Sequence, residues 1–151
     1  DWIYVTGPLG GSLLGKHHRF TPRLAEGAWL ATQPDVHAMM DLSDGLAKDL
    51  HALTPAGTEP AIMASAVPIS AAAKRRATQT GQSPLGHALE DGEDFELLFA
   101  LRQSADRGRL ERRWRQRFGT ALHCIGYFAA REKIPAGVID LEAHHGYEHL
   151  R

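Results

Sequence analysis

The chain has 151 residues, 43% of them apolar, which is enough for one core and the usual size of one domain. Its 17 basic and 18 acidic side chains leave a net charge of −1, which argues against a partner held mainly by electrostatics, such as nucleic acid or an anionic membrane. No apolar run approaches the roughly 20 residues of a membrane span, no secretory-signal pattern is visible, and the single Cys124 cannot form an internal disulfide. A cytoplasmic protein is expected.

Short apolar runs bounded by turn residues predict strands, and apolar positions repeating every three to four residues predict helices. The first strand is expected over 2–6 and the first helix over 22–32, followed by a strand over 36–41 and a helix over 44–54. The stretch Thr54 to Pro60 reads as a loop, then come a strand over 61–66, a helix over 69–80 and a short helix over 84–89. A strand over 95–101, a helix over 104–118 and strands over 122–128 and 137–141 complete the pattern. The fold class is α+β. A doubly wound parallel sheet would show the same interleaving, but no glycine-rich nucleotide fingerprint follows any strand.

The most informative residues run from Asp41 through Leu42, Ser43, Asp44, Gly45 and Leu46 to Leu50. Here an apolar run gives way to a helix whose Leu46, Leu50 and Leu53 fall on one stripe, with Ser43 or Asp44 as the expected N-cap. Unpaired backbone N–H groups and the dipole make such a helix start attractive to anions. Asp41 lies on the strand side of the turn and Asp44 on the helix side, so their carboxylates can converge. Two carboxylates repel a phosphate unless a divalent cation such as Mg²⁺ lies between them; without one, they simply cap the helix.

A second acidic segment runs Glu90, Asp91, Gly92, Glu93, Asp94, Phe95 and Glu96 before the strand beginning at Leu97. Crowding five carboxylates costs energy unless cations or ligand groups relieve it, although charge runs are usually solvated.

Together these segments resemble the carboxyl-terminal half of thiamine-monophosphate kinases, in the AIR synthase-related superfamily. Asp1 to Gly7 with Leu9 to Ser12 resembles the family's DWIYVTG..GDS opening, and His18 to Arg23 its RPxPR segment. Asp41 to Leu46 reproduces DLSDGL, Gly92 to Leu97 resembles GGEDYEL, and Gly146 to His149 resembles GYDHF. The match runs the length of the chain, in order.

The resemblance implies a mixed sheet flanked by helices, partly similar to the ferredoxin-like fold, with residues 1–151 forming one carboxyl-terminal domain. The family's amino-terminal domain, which supplies most of the ATP site, is not visible here, and the chain alone is expected to be inactive. It implies that Asp41 and Asp44 bind Mg²⁺, that Ser43 contacts the nucleotide, and that Glu93 and Tyr147 contact thiamine monophosphate. No catalytic acid or base is implied, since the acceptor phosphate oxygen is already anionic. Tyr147 suits the cationic thiazolium by cation–π attraction, worth roughly 0.5 to 2 kcal/mol. A homodimer, using ATP and thiamine monophosphate, is expected. The alternatives are a superfamily member with another small-molecule substrate, or a non-catalytic dimerisation or interaction module.

Four positions depart from the family pattern. Gly11 stands where the family has Asp, Phe20 replaces a proline, Asp91 replaces the first glycine of the acidic turn, and Phe95 replaces a tyrosine. These bear on substrate preference more than on fold.

Other features read more simply. The arginines between Arg107 and Arg117 form the solvated face of a helix whose buried stripe is Leu110, Trp114 and Phe118. His144, His145 and His149 match no standard zinc spacing. Arg19 and Arg23 either reach a phosphate or lie on the surface.

Overall fold

The computed structural model describes residues 1–14 and 20–144. Five strands form one sheet: β1 (Trp2–Val5), β2 (Val36–Asp41), β3 (Glu59–Ile62), β4 (Leu97–Leu101) and β5 (His123–Ala129), in the order β2-β4-β1-β5-β3. The helices are α1 (Leu24–Ala31), α2 (Leu46–Leu53), α3 (Ala71–Thr80), α4 (Pro84–Glu90) and α5 (Arg107–Phe118). The α+β class stands. All four strand pairings are antiparallel, and the parallel contact among the described residues is an isolated bridge between Leu9 and Ile69.

Alternation along the strands divides the core into two layers. On β1, Ile3 and Val5 point to one face and Tyr4 to the other; on β4, Leu98 and Ala100 oppose Phe99 and Leu101. One face packs against Leu46, Ala47 and Leu50 of α2 and Ala88 and Leu89 of α4. The other packs against Leu30 of α1 and Leu110 and Trp114 of α5. The leucine stripe of α2 and the Leu110, Trp114, Phe118 stripe of α5 therefore bury as their periodicity requires, with Arg109, Arg112 and Arg115 exposed on the outer side of α5.

Two expected strands differ. The 61–66 strand begins earlier, at Glu59, and ends at Ile62, after which Ala64–Ala66 turn into a 3₁₀ helix. Pro60 is accommodated because β3 is an edge strand that pairs with β5 alone. The 137–141 segment is not a strand: Ile139 N–H reaches Ile62 O at 3.0 Å, but Leu141–Ala143 coil into a 3₁₀ helix, with Leu141 buried in the core. Its apolar spacing records packing, not a ladder. No helix among the described residues is long and apolar enough to cross a membrane.

Candidate functional site

Antiparallel pairing sets the place of the site. Val5 of β1 and Asp41 of β2 lie against Leu98 and Leu97 of β4, so the ends of β1 and β2 and the start of β4 meet at one end of the sheet. The Thr6–Ser12 turn, the Asp41–Leu46 turn and the acidic 91–96 segment converge there.

The two acidic motifs are hydrogen-bonded to each other along their backbones. Leu42 N–H donates to Glu96 O at 2.8 Å, Phe95 N–H to Leu42 O at 2.8 Å, and Glu93 N–H to Ser43 O at 2.7 Å. Glu93 and Phe95 hold φ values of 53° and 51°, a left-handed conformation costly for side chains of their size. Such strain persists only where the surroundings fix it from several sides.

The start of α2 is built differently from the expected N-cap. Gly45 occupies the cap position at φ 101° and no side chain caps the helix there. A side chain at Gly45 would have its Cβ 2.9 Å from Leu89 O, so the tight turn needs glycine. The Ser43 and Asp44 amides are satisfied by Asp49, whose Oδ2 reaches back from within α2 to accept them at 2.9 and 3.0 Å. Burial pushes the Asp49 carboxyl up, and the negative charges of Asp44 and Asp41 add to that rise. Asp44 is half-buried and pairs with Lys48 Nζ at 2.8 Å; Asp41 is exposed at the end of β2. Asp41, Ser43, Asp44 and Glu93 thus lie on one crossing of two turns. Tyr147, His145, His149 and Arg19 lie outside the described residues.

The acidic segment is relieved by protein groups. Both oxygens of Asp94 accept from Gly10 N–H at 2.9 Å, and Ser12 Oγ donates to Gly92 O at 2.6 Å. Buried Glu96 accepts from Thr6 Oγ1 at 2.8 Å and from Arg23 at 3.0 and 3.2 Å. Arg23, which also bonds Glu26, therefore serves the fold and is not a free phosphate ligand. Sequence reasoning missed Asp49, Asp94 and Glu96 as anchors. The position of Asp49 inside the first turn was a visible signal; the partners of Asp94 and Glu96 lie 70 residues or more away along the chain. Phe20 stacks on Phe95 with ring centroids 4.0 Å apart.

Comparison with known proteins gives the site its context. No family model matches the chain. Among curated proteins, the thiamine-monophosphate kinase of Rhodopirellula baltica is 46% identical over 102 residues, covering 67% of this chain and 32% of that protein. That of Salmonella typhimurium is 35% identical over 152 residues, covering 86% of this chain and 45% of that protein. The chain spans about half or less of the length of the curated relatives it matches. Among solved structures, thiamine-monophosphate kinase from Stenotrophomonas maltophilia K279a matches with a TM-score of 0.69 at 27% identity, over 85% of this chain and 47% of that one. A ThiL structure complexed with AMPPCP and TMP matches with a TM-score of 0.62 at 26% identity, over 92% and 47%. E. coli HypE, a hydrogenase maturation protein, shares the fold at a TM-score of 0.69 and 21% identity, over 93% and 49%.

The sheet order, the helices on both faces and these neighbours give the domain an AIR synthase-like fold. Its relatives among curated proteins are thiamine-monophosphate kinases, enzymes of which it matches a part.

Proposed function

We propose that the chain is the carboxyl-terminal domain of a thiamine-monophosphate kinase-like enzyme, which transfers the γ-phosphoryl group of ATP to thiamine monophosphate and forms thiamine diphosphate. The observation that carries this reading is the backbone crossing of the Asp41–Leu46 turn and the 91–96 segment. It sets Ser43, read as the nucleotide contact, against Glu93, read as the acceptor contact, by a backbone hydrogen bond. The kinase relatives and the ligand-bound ThiL structure support the same reading.

Asp41 and Asp44 offer hard carboxylate oxygens on one turn, where Asp44 is paired with Lys48 Nζ. Mg²⁺ fits this donor set if substrate phosphates and water complete its shell. Among the described residues, no group of three His, Cys, Asp or Glu side chains could hold a metal unaided. When bound, Mg²⁺ neutralises phosphate charge.

The chain's own residues then position the reactants. Ser43 contacts the nucleotide, Glu93 takes the amino or cationic groups of thiamine monophosphate, and Tyr147 offers an aromatic face to the thiazolium. No general base is needed, because the acceptor oxygen is already anionic, so positioning and charge neutralisation account for catalysis. Residues 1–151 are read as one domain working beside a second, ATP-binding domain, and as inactive alone. The whole protein is read as a cytoplasmic homodimer.

The test is phosphoryl transfer by the full-length protein carrying this chain, with ATP, Mg²⁺ and thiamine monophosphate, for wild type and Asp44→Asn. Thiamine diphosphate formation that falls by at least about 10²-fold in the variant supports the reading. Folded wild-type protein that forms no product refutes it.

A further inference from the structure

Two positions at which the sequence leaves the family pattern, Gly11 and Asp91, touch each other. Gly11 N–H donates to Asp91 Oδ2 at 2.8 Å. Gly11 has φ +76°, and a Cβ on it would stand 2.4 Å from the Ala73 nitrogen and 2.5 Å from the Ala72 carbonyl carbon. The turn therefore has no room for a carboxylate of its own at residue 11, and one arrives from the end of α4 instead. Asp91 is 8% exposed, its Oδ1 is bonded to His87 Nδ1 at 2.8 Å, and Arg76 Nε stands 3.5 Å from its Oδ2. His87 is 1% exposed and is fixed in turn by Thr80 Oγ1 at 2.8 Å from Nε2.

This carboxylate begins a row of anchors. Gly11 bonds Asp91, Ser12 bonds Gly92 O, and Gly10 bonds Asp94, so residues on both sides of Glu93 are tied to the Gly10–Ser12 turn. Glu93 itself is tied on the opposite side, to Ser43 O. Its left-handed backbone is stable only while both sides hold it.

We propose that Asp91 is a positioning residue for Glu93: with His87 behind it and Gly11 in front, it locks the acidic segment to the Gly10–Ser12 turn and fixes Glu93 where the phosphate acceptor binds. The inference rests on the reading of Glu93 as a contact to thiamine monophosphate. Removing Asp91 takes away one of the three ties on that side, leaving Ser12 on Gly92 and Gly10 on Asp94, and so loosens the strained residue and lets its carboxylate shift from the acceptor. The nucleotide side of the site, built on Ser43 and Asp44, keeps its own support from Asp49.

The experiment compares Asp91→Ala, Asp91→Asn and Gly11→Ala in the full-length protein by steady-state kinetics. Asp91→Ala is expected to raise KM for thiamine monophosphate about tenfold while KM for ATP stays within about twofold. Asp91→Asn, whose amide oxygen still accepts from Gly11, should recover most of the loss. Gly11→Ala pushes the same turn away from the other side and should reproduce Asp91→Ala. An unchanged KM for thiamine monophosphate in folded Asp91→Ala, or an equal rise for both substrates, overturns the proposal. If wild type does not turn over thiamine monophosphate, the functional reading fails, and amide hydrogen exchange decides the positioning claim separately. Faster exchange at both Gly11 and Glu93 in Asp91→Ala supports it; a wild-type rate at Glu93 overturns it.

Discussion

The Arg23 guanidinium lies against the Glu96 carboxylate with two donors on two acceptors, Nε to Oε2 at 3.0 Å and Nη2 to Oε1 at 3.2 Å. The carboxylate is 3% exposed and the arginine 25%, so this is a planar ion pair at the edge of the core. It fastens the residue before α1 to the residue before β4.

Arg23→Ala takes the guanidinium away from a buried carboxylate that Thr6 Oγ1 also holds. Fully buried pairs broken in this way cost roughly 3–5 kcal/mol, and partial exposure of Arg23 lowers the expected loss to about 2–3 kcal/mol. Urea unfolding measures it. Arg23→Lys should restore only part of the loss, because a point charge does not reproduce the fork.

Glu93 couples stability and binding with opposite signs. Glu93→Gly removes a left-handed residue that is not glycine and should raise unfolding free energy by up to about 1 kcal/mol. The same change removes the proposed acceptor contact, so calorimetry on the full-length protein should show weaker binding of thiamine monophosphate. A variant that loses both stability and affinity would contradict the strain argument.

Burial holds the His123 imidazole below its usual range, against a smaller upward pull from Glu96. The folded state therefore resists a proton that the unfolded chain accepts. The stability associated with neutral His123 is present above the ordinary imidazole value of about 6.5 and is lost as pH falls through it toward the lower folded value. Denaturant unfolding between about pH 7 and pH 5 should show wild type losing stability more steeply than His123→Gln.

Gly126 marks the tightest place in the sheet. Ile3 pairs with Gly126 and Tyr4 with Cys124, so Ile125 is the extra residue of a bulge, and a Cβ at Gly126 would stand 2.1 Å from Ala61 O. Gly126→Ala should cost about 3 kcal/mol or more, measured by thermal unfolding, because relief requires β3 to move off β5.

Much of the architecture was legible because periodicity reports burial directly. Leu46 and Leu50 in α2, and Leu110 and Trp114 in α5, are buried where their spacing puts them. Val138, Ile139 and Leu141 misled the reading of 137–141, since apolar spacing does not distinguish a paired strand from a segment packed without a ladder. The Asp41–Leu46 turn was legible as a site, but the cap was not: Asp49 satisfies the Ser43 and Asp44 amides from inside the helix, in place of the usual capping residue. Crowding from Glu90 to Glu96 read locally as a need for cations or ligand groups, or as a solvated run. Its partners at Gly10, Gly11 and Arg23 are distant in sequence and become neighbours only when β1 pairs with β4. For the same reason, the contacts Gly11 with Asp91 and Phe20 with Phe95 could not be seen while each position was read separately.

The central place of β1 has a consequence for synthesis on the ribosome. Within this domain β1 lies between β4 and β5, which begin at Leu97 and His123, so its first partner follows it by more than ninety residues. Until then Ile3, Tyr4 and Val5 lack the sheet of this domain, and its early helices lack the floor on which they pack. The nascent chain must keep an apolar strand waiting, a delay that long-range pairing imposes and that exposes it to aggregation. A deletion that removes β5 would therefore strip β1 of one of its two partners as well.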